Sequence, residues 1–162
     1  MGAAFDVIIG NLATRAYITA QYTPQKVSEE LASEFEHLKV LGMSHQPLQY
    51  SGTNNHKVSF SLELNGDPKK GRTAADQRRF LLSNQYPSRS SRNVKSGGPS
   101  GILLDWPELF SLTCVQMSVK IEHDLFLPSG APRKLTAQVT FEELRDVRLF
   151  AEDVLRFGAV RR

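Results

Sequence analysis

Two runs of strict alternation constrain this chain more than anything else in it. Val115, Met117, Val119 and Ile121 alternate with Gln116, Ser118, Lys120 and Glu122, and Leu135, Ala137, Val139 and Phe141 alternate with Thr136, Gln138, Thr140 and Glu142. A period of two sends one set of side chains to one face of a strand and the other set to the opposite face, so both runs predict half-buried strands. "LPSGAPRK" lies between them and supplies two prolines and a glycine, residues that set turns. The pair is therefore a β-hairpin. A continuous segment from Cys114 to Leu127 would run about 45 Å at about 3.3 Å per residue, beyond the usual length of a strand, so part of the hairpin is expected to leave the core.

The rest of the chain reads as β-rich with helices added. Residues 5–22 hold two short apolar runs around the turn-prone pair Gly10-Asn11 and predict a first hairpin that ends before Pro24. Val27, Leu31, Phe35 and Leu38 recur at helical spacing behind Ser28, Glu29 and Glu30, a plausible cap and acidic first turn, so pattern alone predicts a helix over 27–41 that Gly42 stops. "SHQPLQYSGTNN" reads as a loop by composition. In "KVSFSLEL" the alternation of Val58, Phe60, Leu62 and Leu64 with polar residues predicts another half-buried strand. "TAADQRRFLLSNQ" predicts a short helix capped by Thr73, with Phe80 and Leu81 or Leu82 turned to the core. A mobile loop rich in Ser, Gly, Pro and Arg is expected at about 87–101. Finally, Leu144, Val147, Ala151, Val154 and Leu155 mark one face of an amphipathic C-terminal helix ending near Gly158. The division that follows is a β domain over 1–144 and a terminal helix and tail over 145–162.

Charge and chemistry narrow the function by elimination. The 162 residues carry a net charge of +3, but from Lys69 to Ser96 eight basic residues (Lys69, Lys70, Arg72, Arg78, Arg79, Arg89, Arg92, Lys95) face Asp76 alone. That segment holds +7 and leaves −4 for the remainder. Such a segment can meet phosphates through salt-dependent contacts, which makes a nucleic-acid-binding module the alternative function; its aromatic content is limited to Phe80 and Tyr86, little for base stacking. Cys114 is the single cysteine, so neither an intrachain disulfide nor a cysteine zinc cluster is possible, and a reducing compartment is the simplest home. The first twenty residues predict neither a signal peptide nor a membrane span. His37, His45, His56 and His123 include no i, i+4 pair, and His45, His56 and Asp67 are sparse ligands in polar loops. Ser44 beside His45 lacks the second glycine of a nucleophile elbow. Glu142 and Glu143 fall on opposite faces of a strand, which rules out a facing acid and base; they are expected to flank the strand end and keep it soluble. Trp106 reads as core. No cofactor, no metal and no catalysis are expected. A long hairpin with exposed edges is a hazard in a monomer unless a neighbour pairs with it, which points to an interaction protein.

"YTPQ", "VLGMSHQPLQYSGTNNHKVSFSLELNGD" and "GILLDWPELFSLTCVQMSVKIEHDLFLPSGAPRKLTAQVTFEEL" together resemble the tube-initiator or baseplate-adaptor domain of contractile phage tails and related injection systems. The matching positions are Tyr22 and Pro24, Gly42, Ser61 to Leu64 with Asp67, Trp106, and Phe126, Pro128, Gly130, Pro132 and Arg133. They span most of residues 15–144 and are structural rather than catalytic. Thr23 stands where the family usually has Asn, the 87–101 loop is long and basic, and no peptidoglycan-binding LysM module follows, so cell-wall binding is not expected. The resemblance implies a mainly β (α+β) fold, a tail-tube-like antiparallel β-barrel or sandwich with a long hairpin, one inserted helix and a C-terminal helix. It favours extended structure over 27–41, against the helical spacing. It also implies a virion tail or baseplate protein assembled in the host cytoplasm, forming a ring of self-copies, expected to be a hexamer, between a baseplate hub protein and the tail-tube protein. Nucleic acid would be met only in passage through the channel or by weak contact. Leu125, Phe126, Leu127, Pro128, Gly130, Pro132, Arg133, Phe150 and Leu155 are then the expected subunit interface.

Overall fold

The computed structural model describes residues 7–20, 22–66, 73–89, 98–145 and 149–159. It is mainly β: β1 (Ile8–Asn11), β2 (Tyr17–Thr19), β3 (Val27–Glu30), β4 (Ser33–His37), β5 (Leu48–Thr53), β6 (Lys57–Asn65), α1 (Ala74–Ser83), β7 (Ile102–Trp106), β8 (Phe110–Phe126), β9 (Pro132–Glu143) and α2 (Ala151–Ala159). Seven strands form one antiparallel sheet in the order β2-β1-β7-β8-β9-β6-β3, curled into a half-barrel, while β4 and β5 pair only with each other.

The concave face holds the core. Val58, Phe60, Leu62 and Leu64 of β6 and Leu135, Ala137, Val139 and Phe141 of β9 are buried there, joined by Ile9, Ile102, Leu104, Trp106 and Cys114, as the alternation predicts. Trp106 meets Phe60 edge-on, with ring centroids 5.5 Å apart. Helix α1 closes the half-barrel with Ala74, Gln77, Phe80 and Leu81. Thr73 caps it in a reciprocal box: the Asp76 amide donates to the Thr73 hydroxyl at 3.2 Å and the Thr73 amide to the Asp76 carboxylate at 3.3 Å.

The strand β8 departs from its expected phase. Gln116 pairs with Phe141 and Ser118 with Thr140, so Met117 is an extra residue, a β-bulge. Before the bulge Phe110, Leu112, Cys114 and Gln116 turn inward; after it Val119, Ile121 and His123 do. The unbroken series Val115, Met117, Val119, Ile121 is therefore split: Val115 lies on the convex face and Met117 is exposed. The bulge is held by a buried amide chain. Asn11 Nδ2 donates to Asn84 Oδ1 at 2.9 Å, Asn84 Nδ2 to Gln116 Oε1 at 3.4 Å, and Gln116 Nε2 to the Leu81 carbonyl at 2.8 Å, tying β1, the end of α1 and β8 together.

Three further expectations are corrected. Residues 27–41 are not helical: Val27 packs on the core from β3, Leu31, Phe35 and Leu38 are exposed, and strand pairing with β6 and β5 replaces a helix that would have had nothing to bury its face against. The polar stretch read as a loop contains β5. The first hairpin turns at residues 12–16 and not at Gly10-Asn11, because the Asn11 carboxamide accepts from the amides of Ala13 and Thr14, both at 3.0 Å, and so starts the turn one residue later. The proposed mobile loop at 87–101 falls in large part outside the described residues.

Candidate assembly surfaces

The long hairpin leaves the sheet as its length predicts. β7 covers β8 only from Phe110 to Cys114, and β6 covers β9 only as far as Lys134. Among the described residues, β8 from Val115 to Phe126 therefore has a strand neighbour on one side only. Gln85 Nε2 reaches the Gln116 carbonyl at 3.1 Å, which blocks the near end of this edge with side-chain density; Ser118 to Phe126 remain an open row of backbone donors and acceptors. The hairpin turns at Leu127–Ala131. Gly130 sits there at φ +82°, a conformation that suits glycine, and donates to the Leu127 carbonyl at 2.8 Å. Leu125, Phe126 and Leu127 are exposed at the tip, Phe126 by 61%, beside exposed Pro128 and Gly130. Pro132 and Arg133 are not in the turn but begin β9.

A second prominence was not legible as such. β4 and β5 form a hairpin arm that packs on no other element among the described residues. Phe35 and Tyr50 meet across it with centroids 5.7 Å apart, and Leu31, Leu38, Val40, Leu41, Met43 and Leu48 are all exposed, Leu41 completely. The signal that could have revealed it is the alternation of Glu34 and Glu36 with Ser33, Phe35 and His37, which fits a strand as well as the helical spacing fits a helix. At the root of the arm His56 Nε2 lies 3.1 Å from Glu29 of β3, and His56 Nδ1 lies 4.0 Å from Glu143 of β9. Glu143 is buried, not a solubilising flank, and is matched by Arg145 at 2.7 Å.

The convex face is divided. On β6, β9 and the far half of β8 it is a band of hydroxyls and amides, with Ser59, Ser61, Thr136, Gln138, Thr140 and Ser118; at its margins Lys120 pairs with Glu122 at 2.7 Å and Lys134 with Glu63 at 3.6 Å, Lys57 stands opposite Glu142, and Asp124 accepts from the Thr136 hydroxyl. On β1, β2 and β7 apolar side chains dominate, with Leu12, Tyr17 and Leu103 exposed, Leu144 beside them and Asp105 the one carboxylate of these strands. Leu144 belongs to neither helix nor strand: its amide donates to the Thr113 carbonyl at 2.9 Å, and α2 begins only at Ala151. Val147 lies outside the described residues. Phe150, Val154 and Leu155 are exposed, and α2 packs on no other element among the described residues.

Of the basic segment, Lys69, Lys70, Arg72, Arg92 and Lys95 lie outside the described residues. Arg78, Arg79 and Arg89 are exposed, and Arg79 is paired with Asp76 at 3.2 Å. Hydrogen bonds from the Thr73 side chain and backbone, helped by Arg79, hold the Asp76 carboxyl below its ordinary value. No group of three His, Cys, Asp or Glu among the described residues could hold a metal ion, and no described helix is long and apolar enough to cross a membrane. Ser44 and His45 sit on the exposed end of the arm.

The geometry of the described residues thus offers an open strand edge and exposed apolar relief. A search of curated proteins finds no match for the chain. The family model for contractile injection system tube proteins matches residues 10–151. A chain whose match covers all of the curled sheet but its first strand residues, both hairpins and the start of α2 belongs to that family, and is a structural tube protein of a contractile injection system.

Proposed function

We propose that copies of this protein, six in the expected case, form a ring that joins the baseplate hub to the tail tube. The observation that carries this is the open edge of β8 from Ser118 to Phe126, which ends in an apolar tip. The other side of the same three-stranded region is also open. β3 covers β6 only from Lys57 to Phe60, so Ser61 to Leu64 have no strand neighbour on that side among the described residues, and only the irregular segment 22–26 lines a cleft with them. Pairing one edge with the other on the next copy is a head-to-tail contact, which closes into a ring when the rotation between copies fits. The sheet then continues from copy to copy and its edges disappear.

In such a ring the hydroxyl and amide band on β6, β9 and β8 forms an uninterrupted wall. Its centre is uncharged and Lys120 and Lys134 on it are paired with Glu122 and Glu63, so it holds passing cargo weakly, and we assign it to the channel. The arm and the hairpin tip are left for contacts along the axis, to the hub on one side and the tube on the other.

Deleting Leu125 to Lys134 tests the ring. The shortened chain is expected to stay soluble as a monomer, since the core side chains of β9 begin at Leu135, and to form no rings or tails by negative-stain electron microscopy. Normal rings from the shortened chain would contradict the proposal.

A further inference from the structure

Two apolar surfaces of this chain are open and complementary. The first is the convex patch on β1, β2 and β7. Leu12, Thr113 and Leu144 close over Gly101, where an added methyl group would lie 3.4 Å from Leu12 and 4.0 Å from Leu144. Register sets Gly10 between Tyr17 and Leu103. Gly101 is thus already covered, and the patch is low only at Gly10, between Tyr17 and Leu103: a short, shallow apolar trough edged by exposed Leu12, Leu103 and Leu144. Leu12 is 54% exposed and Leu144 50%. The second surface is α2. Ala151, Val154 and Leu155 share one helix face by their spacing of three and four residues, and Leu155 is 76% exposed.

We infer that α2 of one copy docks in the Leu12, Leu103, Leu144 trough of a second copy of this chain. The inference rests on the assembly reading above, which brings identical copies side by side. α2 meets no element of its own chain among the described residues, although Leu144 lies only seven positions before it. Charge fits as well: Glu152 in the first turn of α2 is acidic, and exposed Arg15, in the turn that joins Leu12 to Tyr17, has no ion pair among the described residues. Apolar contact supplies the attraction and this pair sets the direction of the helix along the trough.

Mixed single-cysteine chains test it. Cys114 is buried and does not compete. Chains carrying Leu12→Cys are mixed with chains carrying Leu155→Cys, oxidised gently and run on a non-reducing gel, with Leu144→Cys and Val154→Cys as a second pair should either of the first variants fail to fold. The covalent dimer is expected to form roughly tenfold or more faster in the mixture than in either variant alone, because docking raises the local thiol concentration. No excess of dimer in the mixtures, or a dimer from Leu155→Cys alone at the same rate, would overturn the inference. Electron microscopy of the same samples reports ring formation independently, so rings without the crosslink contradict the docking and leave the ring standing.

Discussion

Cys114 shows how completely a single residue's chemistry is set by its place in the sheet. Its thiol is fully buried on β8, 3.5 Å from the Ile102 carbonyl, and burial, with the Glu143 carboxylate second, pushes it up to about 12. It is therefore a neutral thiol near pH 8. Alkylating reagents are expected to leave the native protein unmodified at that pH and to label it fully in denaturant, as intact mass will show; labelling of native protein at the rate of a free thiol would contradict its burial. Asn84 carries more weight. Replacing it by Ala leaves the Asn11 side-chain amide and the Gln116 side-chain oxygen Oε1 buried without their partner, which should cost about 2–4 kcal/mol in urea unfolding. Asp76 gives the pH dependence a sign. Its folded value lies below the ordinary 3.8, so its contribution to the cap of α1 is complete above that pH and is lost as pH falls through the lower folded value. Amide exchange in the first turn of α1 should therefore rise in strong acid, and Asp76→Asn should remove that dependence.

At the scale of elements, the Met117 bulge decides what faces what. Deleting Met117 removes the extra residue and leaves Gln116 inward and Ser118 outward opposite Phe141 and Thr140, so both halves of β8 keep their faces, whereas deleting Val119 with the bulge in place shifts the far half by one residue and exchanges its faces. The Met117 deletion should therefore still fold and the Val119 deletion should not, while Met117→Ala, at an exposed side chain, should change stability by no more than about 0.5–1 kcal/mol by thermal or urea unfolding. The same bulge explains a limit of sequence reading. β6, β9, α1 and its Thr73 cap follow from local alternation and capping chemistry, which act within a few residues. The phase of β8 does not, because the bulge is fixed by Asn84, 32 positions away from Gln116, through a buried amide chain that no local pattern announces. The arm was obscured for another reason: Leu31, Phe35 and Leu38 have helical spacing, but the spacing reflects nothing in the monomer, where all three are exposed. Side chains selected for a surface outside the folded unit carry no periodicity of that unit. The tip residues of the hairpin, by contrast, were legible because Pro and Gly constrain the backbone directly.

For the whole molecule, exposed apolar side chains gather on the hairpin tip, the arm, α2 and the Leu12 trough, and an open strand edge runs along β8 to the tip. A chain with these features is prone to associate, and the curled sheet gives the association a direction from one edge to the other. The family match implies assembly into a tube with other tail components; edge pairing into a ring next to the hub is our proposal. The measurement that tests the central claim most directly is hydrogen exchange of the β8 backbone, compared between monomer and assembled particles by mass spectrometry. The outward amides from Ser118 to Phe126 should exchange quickly in the monomer and become strongly protected on assembly, together with those of Ser61 to Leu64. Assembled particles in which both segments still exchange as they do in the monomer would contradict edge pairing as the basis of the ring.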